Sequence, residues 1–140
     1  MSFIVKAIRN LYVNQNSLEM TIKEIAAKWA EYCQQGQWDK AHEELYHENA
    51  VSIEMDGAQG FPPKVEGIAA ITEKTKMFDN MVEEFHGLEI EGPIVGGNHF
   101  TAVMKMDVTM KGQPRNIDEE IALFRVENGK IVSEQFFYQV

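Results

Sequence analysis

The feature that most restricts the fold is a change of hydrophobic period between residues 78 and 88. Upstream, apolar residues recur at helical spacing: Ile22, Ile25, Ala26, Trp29 and Cys33 form one stripe, and Ile68, Ile71, Thr75 and Phe78 form another. Downstream, the segments 88–94, 99–111, 117–126 and 130–140 alternate apolar with polar residues, as half-buried strands do. Gly96-Gly97-Asn98, the stretch 111–114 and Glu127-Asn128-Gly129 supply the turns between them. Helices first and an antiparallel meander afterwards predict an α+β fold, with about three N-terminal helices packed on the concave face of a curved antiparallel sheet.

Local signals place the boundaries. Thr21-Ile22-Lys23-Glu24 has the form of a capping box, in which a hydroxyl and a carboxylate satisfy free amides of the first helical turn. Gly36 offers a stop, and a second helix is expected over 38–46 with Trp38, Ala41 and Leu45 inward. Residues 50–55 alternate as a strand, 56–63 carry loop chemistry, and Gly67 opens the third helix. The domain therefore spans 20–140, preceded by an amphipathic extension over 1–19 without which it is expected to fold. At 140 residues the chain suits one domain with one sizeable core.

Composition excludes several function classes. A formal charge of -9 argues against a nucleic-acid partner, which needs clustered Lys and Arg, and against docking on an anionic membrane. No run is long and apolar enough to span a bilayer, and residues 1–13 are broken by Lys6, Arg9 and Asn10, unlike a signal peptide. Cys33 is the single cysteine, so no intrachain disulfide forms, and a reducing cytoplasm is the expected compartment.

The last hairpin carries the sharpest functional signal. Val132, Phe136, Tyr138 and Val140 alternate as a core face should, yet Glu134 shares that parity. A two-residue Asn-Gly loop would set Glu134 opposite Leu123; a three-residue loop with a bulge would set Phe124 opposite Val132 and Ala122 opposite Glu134. The second register is preferred because it gathers Glu120, Ala122, Phe124, Val132, Glu134, Phe136 and Tyr138 on one face. Two carboxylates in a solid core would cost several kcal/mol each, so this face is expected to line a pocket. The bland alternative puts both acids at a solvated rim. In a shared pocket, mutual repulsion and desolvation would lift at least one of them above the ordinary value of about 4.3, and the pair could share a proton.

Other features read as structure. HEELYH (42–47) is one residue longer than the zinc motif, and histidines five apart on a helix diverge by about 140°. No metal site is expected. Met104 and Met106 fall in line with Ala102 and Val108 as core lining, and Cys33 reads as an inert core residue. His86, before a strand, is a candidate cavity acid or base against a surface or capping role.

Trp29, QGQWDKA, LYHENAVSIE, VEGIAAI, GPIVGGNHFTAVMKMDVT and EIALFRVENGKIVSEQFFY, in that order, resemble a small SnoaL-like protein of the nuclear-transport-factor-2-like superfamily. The resemblance covers about 20–138 and implies a cone-shaped α+β fold around a pocket, shared with ketosteroid isomerases and polyketide cyclases. It puts Glu54 at the general-base position of ketosteroid isomerases. It also puts Trp29 and Ala122 where those enzymes carry their oxyanion-hole tyrosine and aspartic acid, which makes steroid isomerisation an unsuitable activity. Together with the face above, Glu54, Glu120 and Glu134 are the expected catalytic carboxylates, and Trp29, Phe124, Phe136, Tyr138 and His86 the expected ligand-binding residues. The expected activity is isomerisation, cyclisation or hydrolysis of a small, partly apolar molecule without a cofactor. A non-catalytic ligand-binding or dimerisation module is the alternative. A homodimer is expected through the outer sheet face carrying Thr101, Val103 and Lys105.

Overall fold

A computed structural model describes residues 19–58 and 60–140; apart from Glu19, the expected extension lies outside the described residues. Helix α1 (Ile22–Gln34) begins at the foreseen capping box. Thr21 Oγ1 accepts from the Glu24 amide at 3.2 Å, and Glu24 accepts from the Thr21 amide at 3.3 Å. Ile25, Ala26, Trp29 and Cys33 of its stripe are buried, with Tyr32 added, while Ile22 is only partly buried. Helix α2 (Trp38–Leu45) leads directly into β1 (Tyr46–Ile53), and β2 (Lys64–Glu66) precedes α3 (Ile68–Met81). Strand β2 falls just past the segment read as loop. Four long strands follow: β3 (Val82–Gly96), β4 (His99–Met110), β5 (Arg115–Glu127) and β6 (Lys130–Phe137).

The sheet has six strands in the order β2-β1-β6-β5-β4-β3, and the three helices pack against it. Four of its pairings are antiparallel; β1 and β6 run parallel. No hairpin joins β1 to β6, so no tight turn imposes an antiparallel sense on that pair. The first and last described strands, β1 and β6, thus lie side by side.

The last hairpin differs from the preferred register, for a local reason. Asn128 (φ 50°) and Gly129 (φ 73°) form a two-residue loop, with Glu127 opposite Lys130 and Val126 opposite Ile131. Positive φ at both central residues suits Asn-Gly and matches strand twist, so the two-residue loop prevails. The bulge comes later, at Val132, after which Arg125 faces Ser133 and Phe124 faces Glu134. Ile131, not Val132, therefore fills the core at this level, and Val140 is exposed. Past the bulge the parity is the expected one, with Glu134 and Phe136 on the inner side.

The core explains where space remains. Along β4, Phe100, Ala102, Met104, Met106 and Val108 are buried in strict alternation. Phe100 stacks on its cross-strand neighbour Phe124 at 4.5 Å, and Trp29 covers both at 5.9 and 4.6 Å. The next row is Ala102 opposite Ala122, and the one after it Met104 opposite Glu120. Both alanines are buried in the core, and the cavity lining begins at the Met104–Glu120 row.

Candidate active site

An open cavity of about 1270 Å3 lies between the helices and the inner face of the sheet. Trp29, Glu54, Glu120, Glu134, Phe136 and Tyr138 all line it. Two expected residues do not. Phe124 is fully buried in the aromatic stack. His86 sits where the β3 register shifts and meets Thr109 Oγ1 through Nε2 at 2.8 Å, with Glu84 at 3.9 Å, away from the cavity. A strand-edge histidine beside a hydroxyl and a carboxylate has polar partners of its own.

Glu54 follows β1 directly, and its amide donates to Pro63 O at 2.9 Å, which holds the loop over 55–63 against the strand. Its carboxylate is fully engaged. Lys74 from α3 reaches Oε1 at 2.5 Å, and the Tyr138 hydroxyl donates to Oε2 at 2.6 Å. Lys74 also donates to Ser52 Oγ at 2.6 Å and stands 5.1 Å from the centre of the Phe136 ring. Lys74 is 8% exposed, so its charge depends on Glu54 for compensation. Burial first, and the bond to Glu54 second, push the Tyr138 phenol above its usual range, which keeps it a donor.

Glu134, 5% exposed, has a different partner from the one expected. It accepts from the Tyr46 hydroxyl at 2.5 Å through Oε2 rather than pairing with Glu120. Burial, then the Glu134 charge, raise Tyr46 well above the ordinary phenol range, so Tyr46 remains protonated. His42 meets the Tyr46 ring edge-on at 4.9 Å. Burial lowers its pKa despite nearby Glu134, and Nδ1 has no hydrogen-bond partner. His42 is buried whereas His47 is exposed, so the two histidines of HEELYH face different surroundings. Cys33 is buried, and desolvation pushes its thiol far up, in keeping with an inert core role.

Of the three expected carboxylates, Glu120 is the one without a side-chain partner among the described residues. Burial, then repulsion from Glu54, raise it from 4.5 to about 7, while Lys74 works in the other direction. The sequence pointed to a lifted acid; the structure assigns the lift to Glu120 and names Glu54, not Glu134, as the main opposing charge. A carboxyl poised near neutrality can both accept and return a proton. Lys74, Tyr46 and His42 were not foreseen. Lys74 lies three residues after Ile71 on the apolar stripe, a position at which a charged residue already signals a buried partner.

Comparison with known proteins fits this geometry. Residues 20–138 match the family profile of the SnoaL-like domain. A Mesorhizobium loti protein, assigned as a SnoaL-like polyketide cyclase with carbohydrate phosphatase as a second designation, is 36% identical. It superposes with a TM-score of 0.76 over 85% of this chain and 100% of its own. A Catenulispora acidiphila protein with a ketosteroid isomerase-like fold, in complex with trimethylamine, gives a TM-score of 0.68 at 21% identity, over 86% and 88% of the two chains. TerC, co-crystallised with polyporic acid, gives 0.71 at 13% identity, over 83% and 89%. These last two show the shared fold. No curated protein matches the chain.

Proposed function

The chain belongs to the SnoaL-like domain family, and we propose that its cavity binds a small, partly apolar carbonyl or cyclic compound and moves a proton on it without a cofactor. Isomerisation, cyclisation and hydrolysis all need such a step. Glu120 is the proton carrier. The observation that carries this reading is its unpaired carboxyl, raised to about 7 inside an aromatic-lined cavity. Glu54 is not the base, because Lys74 and Tyr138 already hold both of its oxygens. Those two donors instead make it a fixed polar wall of the cavity. Relatives of the same fold that hold polyporic acid or trimethylamine support a cavity that accepts small molecules.

A binding module without chemistry is the second reading, favoured by Trp29 and Ala122, which supply no hydroxyl or carboxyl to an oxyanion. Deuterium incorporation separates the two. Cyclic ketones and β-diketones incubated with the protein in D2O are expected to exchange α-protons faster than in buffer, and Glu120→Gln to lose about 100-fold or more of that rate. No acceleration with any of them would leave the binding module, and full rate in Glu120→Gln would take the proton-carrier role away from Glu120.

The homodimer belongs to the same proposal. Val103, Ile121 and Phe137 form one row across the outer face of β4, β5 and β6, with Ile121 48% and Phe137 39% exposed. An apolar row of this kind on a sheet face suits a second copy.

A further inference from the structure

The charges lining the cavity do not balance. Lys74 is the single Lys or Arg among its described lining residues, and Glu54 consumes it at 2.5 Å. Glu120 holds a proton for part of the time at neutral pH, so it carries only part of a negative charge. Glu134 then remains without a cationic partner among the described residues. It is 5% exposed, and a neutral phenol is its one hydrogen-bond donor, bound to one of its two oxygens. His42, 7% exposed on the same stretch of wall, adds a ring nitrogen with no partner. Desolvating a carboxylate this far without a cation is unfavourable unless something else supplies the positive charge.

The surroundings say what would supply it. Buried lining residues beside Glu134 include Trp29, Cys33, His42 and Tyr46. Two of these offer aromatic rings, which attract a cation through their faces. A ligand carboxylate or phosphate would meet Glu134 and Glu120 with no free Lys or Arg to receive it. We infer that the inner end of the cavity, built by Glu134, Tyr46, His42 and Trp29, is a cation subsite that takes the protonated amine of a small aromatic or alicyclic ligand. The ammonium donates to the open oxygen of Glu134. The apolar body lies outward along Phe136, Met104 and Met106, toward Glu120. This rests on the cavity being a ligand site, and it adds the charge class of the ligand.

Both tryptophans of the chain, Trp29 and Trp38, line the cavity, so intrinsic fluorescence reports occupancy directly. Titration of the unmodified protein with benzylamine, benzyl alcohol and phenylacetate at pH 7 holds the apolar body nearly constant while the charge changes. Benzylamine is expected to bind about tenfold or more tightly than benzyl alcohol, and phenylacetate most weakly. Glu134→Gln should weaken benzylamine about tenfold and leave benzyl alcohol unchanged. Benzyl alcohol or phenylacetate binding as tightly as benzylamine would overturn the cation subsite while leaving the cavity as a ligand site. No response to any of the three probes would overturn both. Should Glu134→Gln fail to fold, the order of the three probes on the unmodified protein decides the matter alone.

Discussion

Glu120 makes its own prediction about stability. Its folded pKa, about 7, lies above the 4.5 of a free glutamate. Between those values the native state keeps a proton that the unfolded chain has released, so stability must fall as pH rises through that window and level off above it. Glu120→Gln is expected to lose this slope, to match the parent near pH 4 and to melt several degrees higher at pH 8, since about 1 kcal/mol moves a domain of this size by roughly 3–5 °C. Calorimetry across pH 4 to 8 checks it, and an unchanged slope would remove Glu120 from the cavity's proton chemistry. The acid itself was legible in the sequence, because a carboxylate at strand parity with Ala122 and Phe124 has few explanations other than a polar cavity. Its partners were harder to read. Tyr46 and His42 sit at the α2–β1 junction, where the change of period makes side-chain direction ambiguous. Glu134 found a phenol eighty-eight positions away in the chain, a pairing that no spacing rule reaches.

The elements came through the sequence in proportion to how local their causes are. The capping box at Thr21 and the alternation along β4 depend on neighbours a few residues away, and both stand as read. The last hairpin depends on two competing local choices, and the Asn128-Gly129 turn decided it. Gly129 adopts φ 73°, and a Cβ there would also meet the Glu19 side chain at 3.4 Å. Gly129→Ala should therefore cost about 1–2 kcal/mol, because an L-residue resists the left-handed region. Urea denaturation followed by circular dichroism would show a lower midpoint at unchanged slope; an unchanged midpoint would mean the turn relaxes to another type. The three-residue β2 and the parallel sense of β1 against β6 were beyond reach, since both follow from where distant segments dock rather than from any pattern in the segments themselves.

For the molecule as a whole, the outer face of the sheet is the surface with most to say. A dimer through Val103, Ile121 and Phe137 should scatter light at twice the 16.0 kDa monomer mass at micromolar concentration, and Ile121→Glu should return it to the monomer. A parent that scatters as a monomer would refute the pairing. The parallel seam between β1 and β6 has a different consequence, one that concerns time rather than shape. The bonds Tyr46–Glu134 and Tyr138–Glu54 join residues 88 and 84 positions apart, and both cross that seam. Pairings so distant form late, after the chain between them has been ordered. During synthesis at roughly 5–20 residues per second, the growing chain carries its helices for several seconds before Glu134, Phe136 and Tyr138 leave the ribosome. Until then the described residues offer three helices and an incomplete cavity wall, so the proposed site is assembled only once β6 is made.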